Sequence, residues 1–495
     1  MPASAYDSLI SRAREISLVE NSVTLLQWDQ ETFLPSRGHD FRGQQLACLT
    51  GLTHRLFTAY EVSEWLKKAA DEIAATDDFE KKANLAHWQR RYERATRVPV
   101  AFIEEMELEK SRGHVAWTEA RQKNDFALFQ PSLSRLLAQS RELADFWGYT
   151  DTRYDALLET YEPGITTREI TALFQQLRPS LIALLAERRR QGRPVQRLLG
   201  HFPSAGQMAL NRDIAEALGY DFQAGRIDTS AHPFCNTSGP FDVRITTRYD
   251  ESDFLSSLTG VLHETGHALY ELGLPSEKFG LPSGTAVSNG IHESQSRLWE
   301  NHIGRSRTFW ERWGDDAQKI FPQLASYSVE EMTAAVQVVQ ASHIRTEADE
   351  LTYDLHIMLR FEIEIALLEG QLEVAGVPTA WNELFQKSLG LRVPDAARGC
   401  LQDIHWSSGS FGYFPTYTLG NLNASQLMAT VRKKFPQIDD ELTLGNYEPL
   451  LLWLRKNVHA HGQTFTPQQL MIQATGEPTN PAHHLAYLRK KYLES

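Results

Sequence analysis

The chain is poor in the features that mark several protein classes. Only three of its 495 residues are cysteine, Cys48, Cys235 and Cys400, far apart and with no CxxC pair. That excludes a disulfide framework and points to a reducing compartment, the cytoplasm. No stretch reaches the roughly 18 to 20 uninterrupted apolar residues of a membrane span. The N-terminal MPASAYDSLISRAREISLVE carries acids and lacks a continuous apolar run, so it reads as a helix start and not as a secretion signal. Positive charge is short as well: Lys and Arg number 50 against 63 Asp and Glu, a formal net charge of −13. Such a balance argues against general nucleic-acid binding, which relies on neutralising phosphates. The one basic cluster, ERRRQGRPVQR from Glu187 to Arg197, reads as cations complementing a helix C-terminus that Gly192 and Pro194 bring to an end. No repeat period and no low-complexity tract is present.

What the chain does have is helical periodicity. Up to about residue 220, apolar residues recur at three and four spacing with charges between them, broken at Thr76–Asp78, around Pro131, at Tyr161–Gly164 and at Gly192–Pro194. The β-branched run Val243 to Tyr249 is the best strand candidate. After it come a helix containing LTGVLHETGHALYELGL, a Gly/Pro/Ser-rich loop from Leu274 to Gly290, a helix from about Gly290 to Ile303, and a helical run from Val329 to Glu369. The Gly- and aromatic-rich GCLQDIHWSSGSFGYFPTYTLGN interrupts the pattern before the helical C-terminal part. Strands and helices do not alternate, so the expected fold class is mainly all-α with a very small β element near residues 242–249. No compositional shift marks a linker. The whole chain reads as one domain, with an N-terminal helical subregion over 1–220, a central subregion over 221–420 and C-terminal helices over 421–495.

The apolar helix spends three polar residues on adjoining turns. His263 and His267 are i and i+4, so both imidazoles leave one face about a turn apart, and Glu264 lies beside them. Burying such groups without partners would cost several kcal/mol. This is the HExxH arrangement, in which the histidines hold zinc and the glutamate serves as general base toward the attacking water. The alternative is a histidine pair satisfied by local hydrogen bonds.

Catalytic zinc takes three protein ligands and keeps one position open. Glu271 extends the same stripe, but eight residues from His263 it stands about 12 Å along the axis, too far to share an ion. Glu277 lies in the following loop. Glu293, in HESQSRLWEN, stands near the start of the next helix, whose antiparallel course would bring it over the histidines; coordination geometry favours it. The alternative for Glu293 is a surface pair with Arg297. No third histidine completes the longer HExxHxxGxxH pattern, because Tyr270 and Gly273 stand in its Gly and His places.

Besides HETGH the chain contains HPF at His232–Phe234, DVRIT at Asp242–Thr246, HESQ at His292–Gln295, IRTEAD at Ile344–Asp349 and GCLQDIHW at Gly399–Trp406. With WDQETFLPSRG (Trp28 to Gly38) and the stretch from Asn457 to Tyr492, this ordered set resembles the carboxypeptidase Taq family of zinc metallocarboxypeptidases over nearly the whole chain. The resemblance implies an almost wholly helical fold with a long substrate groove, a homodimer, zinc held by His263, His267 and Glu293 with cobalt able to substitute, and Glu264 as general base. The implied reaction is release of single C-terminal residues from peptides, with broad side-chain tolerance and poor action near proline.

A carboxypeptidase must read a free α-carboxylate, for which the planar fork of arginine is suited. Arg345, expected on a helix, is the first candidate and Arg244 the second; each could instead form a structural ion pair, Arg345 with Glu347 or Asp349 and Arg244 with Asp242. His232, His405 and Tyr413 are candidate donors to the substrate or to a developing oxyanion, or packing under a loop. Asp403 could orient a histidine or cap a helix, and His459 and His461 read as a helix end before Gly462. Two rival functions share the metal motif: a zinc endo-oligopeptidase or aminopeptidase on a similar helical groove, and a peptide-binding protein with a structural zinc. The latter is disfavoured by the lack of a fourth ligand or a neighbouring cysteine.

Overall fold

A computed structural model describes residues 4–74, 76–192 and 195–494. It is mainly all-α, with one small three-stranded sheet among the described residues. The chain gathers into two compact units. The first comprises Met1–Ala95, Gln196–Val336 and Ala424–Pro478, the second Thr96–Val195, Gln337–Asn423 and Thr479–Ser495.

The first unit opens with the helix Ala5–Thr32, started by a capping box in which Ser4 Oγ accepts from the Asp7 backbone N–H at 3.0 Å. A small core of Tyr6, Leu9, Val62, Leu66, Ala69 and Trp88 joins it to the helices Tyr60–Ala74 and Phe79–Arg97. The larger core of this unit surrounds the helix Phe254–Glu271, whose Leu258, Val261, Leu262, Ala268 and Leu269 are each at most 1% exposed. Asp253 caps that helix by accepting from the Leu255 N–H at 3.1 Å.

Strands β1 (Ile227–Thr229), β2 (Cys235–Thr237) and β3 (Val243–Thr247) back it, in the order β1-β3-β2. β3 runs parallel to β1 and antiparallel to β2, with Ile245 opposite both Ile227 and Cys235. The alternation of the β-branched strand explains the placement: Val243 and Ile245 point into the core shared with the helix. A second helix, Asn289–Arg297, starts at Ser288, whose Oγ accepts from the Ile291 N–H at 3.1 Å, and continues as a wider π-helical turn over Leu298–Gly304.

The second unit is built around Glu350–Leu368, a helix buried on nearly every side. It carries carboxylates into that interior, and Asp354 and Glu364 are each met. Asp354 accepts from Thr418 Oγ1 at 2.9 Å and Asn421 Nδ2 at 2.8 Å, and lies 3.1 Å from His484 Nε2. Glu364 accepts from the Tyr154 hydroxyl and Trp406 Nε1, each at 2.9 Å, and from the Gly412 N–H at 3.1 Å. Carboxylates taken out of water are stabilised when paired in this way.

Three local expectations change. The helix Phe126–Trp147 runs through Pro131; the break falls earlier, where Asn124 is left-handed (φ 55) and Asp125 caps by accepting from the Ala127 N–H at 3.0 Å. Burial of Phe129, Leu133, Leu136 and Leu137 carries the helix past its proline. The run from Val329 to Glu369 is two helices, Val329–Val336 and Glu350–Leu368. Asp349 restarts the second by accepting from the Leu351 and Thr352 N–H groups at 2.9 and 3.1 Å, so Arg345 sits in a short 3-10 turn ahead of the helix and not on it. The helix Thr167–Gln191 ends at a left-handed Gly192, as expected, while Arg193 and Pro194 lie outside the described residues. Among the described residues no helix is long and apolar enough to cross a membrane.

Burial pushes the Glu364 carboxyl up to about 7, against the lowering effect of its three donors. A carboxyl raised in the folded state contributes stability that is complete below its unfolded value, near 4.5, and that fades as pH rises through about 7. Between pH 5 and 8 the wild type should therefore lose about 2 to 3 kcal/mol more than Glu364→Gln, which cannot titrate. Urea unfolding of both proteins at the two pH values measures this, and equal losses would refute it.

Candidate metal and catalytic site

The site is assembled in the first unit by two packed helices. On Phe254–Glu271 the rings of His263 and His267 stand edge to face with centroids 4.9 Å apart. Their Nε2 atoms lie 3.8 and 3.5 Å from Oε2 of Glu293 on Asn289–Arg297. The three ligand-type atoms fall within 4.8 Å of one another. Glu293 thus comes over the histidine pair, whereas Glu271 and Glu277 do not join the trio.

The two helices approach this closely because of the glycine inside HETGH. A Cβ on Gly266 would stand 2.6 Å from both the Gln295 carbonyl oxygen and Ser296 Cα, and neither backbone atom can move aside alone. Gly266 therefore sets the separation across which Glu293 must reach.

The outward nitrogens of both histidines are also engaged. His263 Nδ1 lies 2.9 Å from Glu300 Oε2, and Glu300 is itself held by Arg297 Nη1 at 3.2 Å and Arg305 Nη2 at 2.9 Å. His267 Nδ1 lies 2.5 Å from Nδ1 of His292, whose Nε2 is 2.8 Å from Glu271 Oε1. Glu293 presents only one oxygen to the histidines, because Oε1 accepts from Arg297 Nε at 2.7 Å. A sequence reading that stopped at the ligand trio missed His292, Glu300 and Arg305. The signal available was the acidic stripe that puts Glu271 on the face of His263 and His267.

The electrostatics follow from burial. Glu293 would be raised by desolvation, but Arg297 and His263 outweigh it and hold the carboxyl far below the usual range, so it is an anion. Desolvation would lower His263, but Glu293 and the Glu300 hydrogen bond push it up; His267, buried beside His292, is pushed down to about 3. Glu264 is only 6% exposed, and burial pushes its carboxyl up to about 7, with His263 pulling down and Glu293 pushing up. A carboxyl near neutrality is suited to taking and returning a proton.

This donor set fits a divalent transition metal. Two imidazole nitrogens and one carboxylate oxygen are the ligand types of catalytic zinc, whose protein contacts number three, and the outward nitrogens have the partners that orient ligand imidazoles.

The remaining candidates fall in both units. In the first, Arg244 is gripped by Asp242, Nε to Oδ1 at 2.6 Å and Nη2 to Oδ2 at 2.8 Å, and lies 4.4 Å over the Trp28 ring. His232 is exposed. In the second, Arg345 donates from Nε to Asp403 at 2.9 Å and from Nη1 to the Tyr353 hydroxyl at 2.9 Å, so its partner is neither Glu347 nor Asp349. Asp403 also accepts from Arg360 Nε at 2.7 Å. His405 Nε2 lies 3.2 Å from the Tyr417 hydroxyl, and its ring is 5.3 Å from that of Tyr413. Arg345, His405 and Tyr413 are therefore gathered around Asp403 and Tyr417. His459, from the HAHG stretch, is fully buried with Nε2 3.0 Å from Gln295 Oε1, a structural contact.

The family described as carboxypeptidase Taq (M32) metallopeptidase matches residues 8–492. Thermostable carboxypeptidase 1 of Thermus thermophilus is 41% identical, with 99% of each chain covered. Carboxypeptidase 1 of Bacillus subtilis is 36% identical over 97% of this chain and 96% of its own. The solved structure of Trypanosoma cruzi metallocarboxypeptidase 1 superposes with a TM-score of 0.96 at 37% identity, covering 99% of both chains.

The tight approach at Gly266 is testable against its neighbour Gly260, where a Cβ would meet nothing closer than Thr247 Oγ1 at 3.5 Å. Gly266→Ala should lower the thermal midpoint, costing about 1 to 3 kcal/mol, and weaken metal binding with it. Gly260→Ala should leave both nearly unchanged. Calorimetry and metal titration of the two variants read the difference, and equal behaviour would contradict the packing argument.

Proposed function

The chain belongs to the carboxypeptidase Taq (M32) metallopeptidase family and is a metallocarboxypeptidase, a peptide hydrolase; on that premise we propose that it works with zinc held by His263, His267 and Glu293, and with Glu264 as general base. The observation that carries this reading is the convergence of both Nε2 atoms on Glu293 Oε2 beside a buried carboxyl with a pKa of about 7. When bound, zinc supplies Lewis acidity, polarising a carbonyl and making water acidic near neutral pH.

The protein's own groups do the rest. Glu264, ionised in its working form, takes a proton from the attacking water and returns it to the departing amine. Glu293 stays anionic throughout because Arg297 holds its other oxygen. Arg345 and Arg244 are the proposed readers of the substrate's free carboxylate. Each is steadied by one carboxylate partner and by a neighbouring aromatic ring, which orders the planar guanidinium before a ligand arrives. His232, His405 and Tyr413 are the proposed donors to the peptide. Reading the chain end by its charge and not by its side chain gives removal of single residues with broad specificity, and cobalt, which accepts the same ligands, should substitute for zinc. We further read the enzyme as a cytoplasmic homodimer acting as one catalytic domain; three unpaired cysteines support the reducing compartment.

Free and C-terminally amidated forms of the same peptides, digested side by side and read by mass, test this directly. Single residues should leave the free forms only; cleavage of amidated peptides would favour an endopeptidase or aminopeptidase. Glu264→Gln should keep one bound zinc per chain by metal analysis while turnover falls on the order of 10²- to 10⁴-fold. Undiminished turnover would remove Glu264 from the mechanism.

A further inference from the structure

The two histidines that meet Glu293 are fixed from behind in unlike ways. For His263 the device is direct: a carboxylate, Glu300, 2.9 Å from Nδ1. For His267 no carboxylate stands at Nδ1; another imidazole does, that of His292, at 2.5 Å. The carboxylate arrives one step further out, Glu271 Oε1 lying 2.8 Å from His292 Nε2. The His292 ring is wedged in place, with centroids 4.5 Å from His267 and 5.3 Å from Tyr270.

The chemistry of these atoms permits only one direction of donation in the neutral chain. A carboxylate only accepts, so Nε2 of His292 must carry hydrogen toward Glu271. A neutral imidazole has one donor and one acceptor, so Nδ1 of His292 accepts. The hydrogen in the short contact therefore belongs to His267 Nδ1, which leaves the His267 Nε2 lone pair facing Glu293 Oε2, 3.5 Å away. We propose that His292 is a positioning residue that relays the hold of Glu271 onto His267, fixing the tautomer and ring orientation that turn His267 Nε2 to the ion. Glu271, too far along the helix to ligate, acts through His292. This inference rests on the metal reading given above and goes beyond it, assigning work to two residues outside the ligand set.

The test uses the full-length protein, freed of metal and titrated with Zn²⁺ against a chelator of known affinity, then with Co²⁺ followed by visible absorption. In His292→Asn the amide oxygen can occupy the place of the ring Nδ1 and still accept, whereas in His292→Leu nothing accepts. His292→Leu should weaken Zn²⁺ binding about 10- to 100-fold and shift the Co²⁺ bands, and His292→Asn should recover most of both. Glu271→Leu should weaken binding too, and the double variant Glu271→Leu/His292→Leu should be no worse than His292→Leu alone, because the carboxylate has no other route to the ligand. Wild-type affinity in His292→Leu, equal losses in the Asn and Leu variants with native circular dichroism, or additive losses in the double variant would each overturn the relay. A different result marks failure of the metal reading itself: His263→Ala and His267→Ala binding Zn²⁺ as the wild type does would place the ion elsewhere, and the inference would fall with it.

Discussion

The site depends first on backbone lying against backbone. Where Gly266 faces Gln295 and Ser296, no side chain separates the two helices, and only at that distance does a glutamate on one reach imidazoles on the other. Everything polar around it is a consequence of the same closeness. Glu293 is buried, so its charge has to be paired, and Arg297 on its own helix supplies the pair. The π-helical turn that follows widens the helix where it carries Glu300, and Arg297 spans both carboxylates from one position. Such turns are costly in isolation and tend to be kept where a site needs the displaced register. The apolar side of the histidine helix, packed on β3 and the surrounding core, holds the other half of the arrangement still.

The second unit obeys the same rule without the metal chemistry. Its central helix takes carboxylates and an arginine into a dry interior, and every one of them lies against a matched group: Asp354 against Thr418, Asn421 and His484, Glu364 against Tyr154, Trp406 and Gly412, Arg360 against Asp403. Removing one partner from such a set leaves a buried polar group unmatched and costs more than the pair contributes in net terms. Asp403 is the joint of this network, since it meets both Arg345 and Arg360. An arginine so held is stiff, the property required by the carboxylate-reading role proposed for Arg345.

Much of this was legible in the sequence, and the boundary between what was and what was not has a physical cause. The helical class, the short β-branched strand and the HETGH stripe are local: periodicity of 3.6 or 2 states them directly. Glu293 was reachable because ion coordination restricts which later carboxylate can arrive over an i, i+4 pair. Contacts that depend on rotation of one helix against another were not legible. His292 is the residue before Glu293 and points to a neighbouring face, so nothing in its spacing says that it meets His267. Asp403 lies 58 residues from Arg345, beyond any local pattern. The interruption between Val336 and Glu350 was hidden because apolar periodicity continues on either side of it, while Asp349 was the visible cap that should have split the run. At Pro131 the error ran the other way, the proline speaking louder in sequence than the burial that overrides it.

Charge explains why such a site calls for an ion at all. Four carboxylates, those of Glu264, Glu271, Glu293 and Glu300, are gathered around His263, His267 and His292, and the arginines that meet them there are Arg297 and Arg305. In formal terms two negative charges are left over, the charge of one divalent cation. Without a cation, proton binding is favoured at the groups pushed up: His263, raised by Glu293 and Glu300, and Glu264, raised by burial to about 7. A bound cation relieves the negative excess and leaves both groups free to lose those protons. In the proposed mechanism His263 Nε2 would then present a lone pair, and Glu264 would be the anion that a general base must be. A cation in the proposed site would act on both groups at once: negative neighbours raise His263, burial raises Glu264, and a positive charge beside them opposes both.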